Sequence, residues 1–239
     1  DRMLTWGFTS FGNWIDEGFY QEDRIPYFAN AWIIGNFKTV SSGNDYWSPL
    51  PDPFDPAFIK RADVTLATLA AQVKNNPWCV GVFIDNEKSW GVMGSVNSQY
   101  GLVSNTWTVN AKQSPTKAEF VSLMKEKYKD ISALNVNWKT NISSWQEFAS
   151  GVVIHDINEA VQADFSVMLY HYAKQYFAVV EQATAKHLPN HLYMGARFAD
   201  WGMTPEIRQA ASEHADVMSY NYYREGLNDD FWDFLAALD

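Results

Sequence analysis

A single cysteine means that no disulfide can form within this chain. Cys79 stands inside the apolar run "CVGVFI" (79–84), where a thiol with no activating neighbour reads as buried packing and not as a nucleophile. Basic residues are scarce too. Against 28 Asp and Glu there are 18 Lys and Arg, and the net charge of −10 withholds the basic face that a nucleic-acid partner needs. No apolar stretch approaches a membrane span, and "DRMLTWGF" has no signal-peptide pattern; it reads as a chain entered in mid-element. No Gly-rich phosphate loop follows any apolar run, and there is no solenoid repeat or low-complexity tract. His187 and His191 are four apart, but Pro189 between them spoils the helix that would join them, so no metal site is expected there.

What the chain has in excess is aromatic surface. Its 239 residues are 47% hydrophobic, enough for a substantial core, and 11 Trp, 12 Tyr and 15 Phe raise the aromatic share to 16%. Several of these rings stand beside polar loop residues: Trp14, Trp32, Trp90, Trp201, Tyr222 and Tyr223. An aromatic face with hydrogen-bonding neighbours suits the apolar face and hydroxyl rim of a sugar, though core packing explains such rings equally well.

Three helices begin at a capping residue followed by proline: Asp55-Pro56, Ser114-Pro115 and Thr204-Pro205. A longer helix is predicted over about 158–186, with Val161, Phe165, Leu169, Tyr172, Tyr176 and Val179 on one face. Apolar runs precede or follow these helices at 6–14, 25–33, 79–84, 192–199 and 216–223. Alternating strands and helices predict an α/β fold with a parallel sheet. Polar or aromatic residues gather where each run ends, which favours a (β/α)8 barrel over a doubly wound sheet. Segments 34–54 and 92–113 read as long loops on the same face, and no domain boundary is evident within 1–239.

The run "VGVFIDNEKSWG" (80–91) breaks pattern by ending in Asp85-Asn86-Glu87. Its "FIDNEKSWG" resembles the fourth-strand motif of retaining (β/α)8-barrel glycoside hydrolases. The stretch "LMKEKYKDISALNVNWKTNISSWQEF" (123–148) resembles the following segment in family 42 β-galactosidases and family 50 β-agarases. "WGFTSFGNW" and "GARFADWG" are similar to family 50 in particular. The resemblance implies a partial barrel, from strand two to helix six, of a retaining β-agarase that cleaves β-1,4 bonds of agarose and needs no cofactor. It also implies roles: Glu87 as general acid/base, Asn86 on the sugar 2-hydroxyl, and Tyr222 or Tyr223 orienting the nucleophile. Strand-end position alone adds Trp14, Trp32, Trp90, Arg197, Asp200, Trp201 and Asn221 as substrate-binding candidates.

Glu87 needs a carboxylate partner, which in such barrels ends strand seven. With strands four, five and six ending near Glu87, Ala199 and Tyr223, and "DDFWDFLAALD" as the sixth helix, the nucleophile is expected beyond residue 239. Glu225 falls in the loop past strand six and is a poor substitute. Such an excerpt, expressed alone, is expected to aggregate and to leave agarose uncut. The alternatives are a family 42-like β-galactosidase and a binding relic that keeps the aromatic cleft without catalysis.

Overall fold

A computed structural model of the chain describes residues 1–46, 49–199, 202–226 and 229–237. In chain order the elements are α1 (Arg2–Thr5), β1 (Tyr27–Ala31), β2 (Thr39–Val40), β3 (Leu50–Pro51), α2 (Pro56–Val73) and β4 (Cys79–Ile84). There follow α3 (Val96–Gln99), α4 (Gly101–Trp107), α5 (Pro115–Tyr128), α6 (Ile131–Trp138), α7 (Trp145–Ser150) and α8 (Glu159–His187). Last come β5 (Leu192–Tyr193), α9 (Pro205–Ser212) and α10 (Asp229–Ala236). The α/β class is as the sequence predicts.

The main sheet has the order β1-β4-β5, all parallel. Single parallel bridges extend it at both edges, Phe11 to Tyr27 and Phe198 to Tyr220. All five apolar runs therefore lie side by side in chain order, with no reversal among the described residues. Two of them, 6–14 and 216–223, are reduced to one bridge each, and regular strand in 192–199 stops at Tyr193. The left-handed φ of Gly195 (72°) and Arg197 (46°) breaks the extended repeat there. The ladder still resumes where Glu87 N–H reaches the Arg197 carbonyl at 3.1 Å.

The helices form where capping and periodicity place them. Asp55 accepts from the Ala57 N–H, Ser114 from Lys117 and Asn158 from Val161, each satisfying an orphan donor of a first turn. Thr204 departs from the pattern: its hydroxyl makes no cap bond and is buried without a partner. Segments 34–54 and 92–113 are not plain loops. The first folds into the antiparallel pair β2–β3 and the second carries α3 and α4, elements too short to leave a periodic signature.

Phe58, Ala62, Leu66, Leu69 and Val73 of α2, and Val161 to Val180 along one side of α8, are buried, and these two helices pack on each other. Alternation puts Tyr27 and Ala29 of β1 in the core and turns Phe28 and Asn30 to the opposite face. There Phe28 meets Phe83, the ring centroids 5.7 Å apart. Cys79 is buried, which raises its thiol pKa to about 11, so the thiol stays protonated and unreactive.

A second aromatic nest joins Trp107, Phe120, Trp138, Phe148 and Phe165. It encloses Lys117, fully buried, whose Nζ donates to the Trp107 carbonyl at 2.8 Å and lies 4.2 Å from the Trp107 ring centre. Burial lowers the Lys117 pKa to about 7. The unfolded chain, with a lysine pKa of about 10.4, binds more protons than the folded one between these values, so this group makes stability rise with pH from about 7 to about 10. Lys117→Met should flatten that rise, gaining more stability at pH 7 than at pH 10 in urea unfolding of the protein. Equal gains at both would show that Lys117 is not held uncharged.

Candidate active site

The main sheet ends in strained backbone. Of the seven non-glycine residues with positive φ among the described residues, four stand at or near strand ends: Trp14 (68°), Asp85 (63°), Glu87 (48°) and Arg197 (46°). Each such residue costs on the order of 1 kcal/mol and persists because its surroundings over-determine it. Here the backbone is pinned by the Asp85 N–H to the Ala31 carbonyl at 2.8 Å.

These turns send the three consecutive polar residues to different places. Asp85, 3% exposed, points into the core. It accepts from the Ile33 N–H at 3.0 Å and the Tyr176 hydroxyl at 2.6 Å, with the Lys88 ammonium 3.3 Å away. Burial first, then the Asp85 charge, raises the Tyr176 pKa well above its usual value and keeps that hydroxyl a donor. Asp85 is thus a structural anchor, not a third polar group aimed at the cleft.

Asn86 and Glu87 turn outward into a network drawn from several strand ends. Asn221 Nδ2 donates to Glu87 Oε1 at 2.5 Å and to Asn86 Oδ1 at 3.2 Å. Arg197 Nη1 donates to the same Asn86 oxygen at 3.2 Å. Burial lowers the guanidinium pKa, while Tyr223 and Glu87 oppose the shift. The guanidinium also lies 5.6 Å from the Trp14 ring centre and 5.5 Å from that of Phe83. The Asn13 amide, oriented so that both its ends are satisfied, accepts from Arg197 and the Trp14 indole N–H and donates to Asn30.

Trp14 and Trp32 are 54% and 42% exposed and stack with centroids 5.1 Å apart at 21°, a single aromatic platform beside Arg197. Trp90 is corrected: it is fully buried, packed edge-on against Tyr176 at 4.9 Å, and offers no face to a ligand. The reason is Gly202, whose missing Cβ would stand 2.8 Å from the Trp90 ring, so the chain passes directly over it. Their contacts separate the two tyrosine candidates. Tyr222 packs on Phe231 of α10 at 3.9 Å, while Tyr223 is exposed and lies within electrostatic reach of Arg197. Asp200 and Trp201 lie outside the described residues. Glu225 is exposed past the strand end.

Asn13 and Asn30 join the cluster without having been named as binding candidates from sequence. Asn30 was legible as the polar member of the Phe28/Asn30 face, and Asn13 as the polar residue that ends its apolar run beside Trp14. A cavity of about 580 Å³ lies elsewhere, between Thr39–Gly43 and Asn105–Ser114, and its lining brings no acid. No group of residues able to hold a metal is found among the described residues, and no described helix is long and apolar enough to cross a membrane.

No protein-family model matches the chain. It is 46% identical to β-agarase B of Vibrio sp. (strain JT0107) over 100% of its length, and 39% identical to β-agarase A of the same strain over 97%. A solved exo-β-agarase superposes on 99% of the chain at 52% identity with a TM-score of 0.96. The match to a β-galactosidase from the psychrophilic Marinomonas ef1, at 12% identity and a TM-score of 0.60, is one of fold alone. Homology thus defines the class: the chain is homologous to glycoside hydrolases. Within that class its similarity is to β-agarases and to a family 50 structure, 56% identical with a TM-score of 0.96, the group that its motifs resemble. It spans about a quarter of the length of the curated relatives and a third of that solved chain.

Removing the Asp85 carboxylate strands the Ile33 N–H, the Tyr176 hydroxyl and the Lys88 charge. Asp85→Ala should therefore lower the stability of the full-length enzyme by about 3 kcal/mol, whereas Glu87→Gln should leave it nearly unchanged. Thermal unfolding of the two variants checks this, and equal midpoints would refute the anchor.

Proposed function

We propose that residues 1–239 are part of the catalytic domain of a retaining β-agarase, contributing strands two to six of a (β/α)8 barrel. The unbroken parallel order of the five strand segments supports a barrel over a doubly wound sheet, whose strand order would reverse. The observation that carries the activity is the Glu87 carboxylate held at a strand end beside Asn86, in a chain homologous throughout to β-agarases.

The substrate is agarose or a neoagaro-oligosaccharide, cut at its β-1,4 bonds. A nucleophilic glutamate, contributed beyond residue 239 about 5 Å from Glu87, attacks the anomeric carbon while Glu87 protonates the leaving oxygen. Glu87 then takes a proton from the water that releases the sugar from the enzyme. Asn86 Oδ1 already accepts two hydrogen bonds, so its Nδ2 is the atom turned to the sugar 2-hydroxyl. The Trp14–Trp32 platform offers an apolar face to a galactose or anhydro-galactose ring.

In the full-length enzyme, Glu87→Ala should cost about 10²- to 10⁴-fold in agarose hydrolysis, and less on an aryl glycoside whose leaving group needs little protonation. Azide should restore turnover on the aryl substrate by occupying the vacated space. Near-normal agarose hydrolysis by this variant would overturn the assignment.

An aromatic, apolar subsite for anhydro-galactose also predicts cleavage of neoagaro-oligosaccharides with little action on lactose. Comparable rates on both would favour a β-galactosidase, and binding without turnover a relic.

A further inference from the structure

A general acid needs its carboxyl held by neighbouring donors, and an amide beside it must present nitrogen, not oxygen, to a sugar hydroxyl. Neither arrangement is intrinsic to Glu or Asn. We propose that Arg197 and Asn221 are positioning residues, Arg197 fixing the direction of the Asn86 amide and Asn221 keeping Glu87 Oε1 an acceptor. This rests on the acid/base role of Glu87 proposed above.

The direction of these bonds follows from the guanidinium. A guanidinium has five N–H donors and no acceptor, so the Asn86 atom 3.2 Å from Arg197 must be oxygen. That oxygen also faces Asn221 at 3.2 Å, so Asn221 must present its NH2 group. The same NH2 group stands 2.5 Å from Glu87 Oε1 and can only donate, so Oε1 accepts from it.

Asn221 holds this direction against its own interest. Its Oδ1 is buried without a partner, yet reversing the amide would set that oxygen against both Asn86 Oδ1 and Glu87 Oε1. Arg197 orients a second amide in the same way, since Asn13 turns its oxygen to the guanidinium and the Trp14 indole N–H. Trp14 and Phe83, with ring centres 5.6 and 5.5 Å away, hold the guanidinium in place.

A donor on Oε1 favours the ionised carboxylate, so its loss should move the alkaline limb of the kcat/KM profile upward. The full-length enzyme is assayed on a neoagaro-oligosaccharide and an aryl glycoside. Asn221→Ala should move the alkaline limb up, and the isosteric Asn221→Asp should move it further, by about one pH unit or more, through like-charge repulsion. Both should lower kcat on the oligosaccharide with KM little changed. Arg197→Met should lower kcat about tenfold on both substrates, because the 2-hydroxyl contact serves both, and Arg197→Lys should recover part of it.

Asn221→Asp, nearly identical in shape, keeps the test alive if the alanine variant fails to fold. An unmoved alkaline limb in the Asn221 variants, with losses confined to KM, would overturn the proposal and make Asn221 an ordinary sugar contact. If Glu87→Ala stays inactive in that case, the acid/base reading survives and only the positioning roles fall. An active Glu87→Ala would instead remove the reading itself.

Discussion

The buried carboxylate of Asp85 is the constraint on which the strand-end arrangement depends. It takes the Ile33 N–H from the end of β1, the Tyr176 hydroxyl from the middle of α8 and the charge of Lys88. Sheet, helix and loop are thus tied at one point. A carboxylate this deeply buried is tolerable only because its oxygens meet donors, which fixes where those donors stand. With residue 85 drawn inward in a left-handed conformation, Asn86 and Glu87 are carried to the opposite side. The backbone strain and the outward acid are two consequences of one inward anchor.

The outward side is organised by polarity more than by enclosure. Arg197 half sinks between Trp14 and Phe83 and imposes direction on the amides around it. Asn13, Asn86 and Asn221 can each be read either way round in isolation, but not beside a group that only donates. Among these neighbours the acid meets neutral amides and no carboxylate, with Asn221 donating to its Oε1. The stacked indoles of Trp14 and Trp32 complete the surface with an apolar face suited to a sugar ring.

Much of the framework was legible in the sequence because its signals are local. Asp55, Ser114 and Asn158 cap the helices they precede, and the apolar faces of α2 and α8 are the buried ones. Glu87 and Asn86 stood out because polar residues ended an apolar run. What escaped depends on contacts between distant segments. Trp90 next to Glu87 looked like a cleft residue, but a glycine more than a hundred residues later lets the chain close over it. Asp85 and Glu87 are the same kind of residue two positions apart, and only Tyr176 and Ile33 decide which one is buried. Tyr222 is set apart from Tyr223 by its packing on Phe231 of α10. The short elements α3, α4, β2 and β3 exist through tertiary packing and have too few residues to show a period.

The central claim is that Glu87 meets the scissile oxygen while Asn86 presents its amide nitrogen to the adjoining sugar. Its most direct test is a crystal structure of the full-length Glu87→Gln enzyme with an intact neoagaro-oligosaccharide spanning the cleavage point. The account expects the residue 87 side chain within hydrogen-bond distance, about 3 Å, of the glycosidic oxygen. It also expects Asn86 Nδ2 on a 2-hydroxyl, with its Oδ1 still facing Arg197 and Asn221. A sugar chain bound with its glycosidic oxygens out of reach of residue 87 would contradict it.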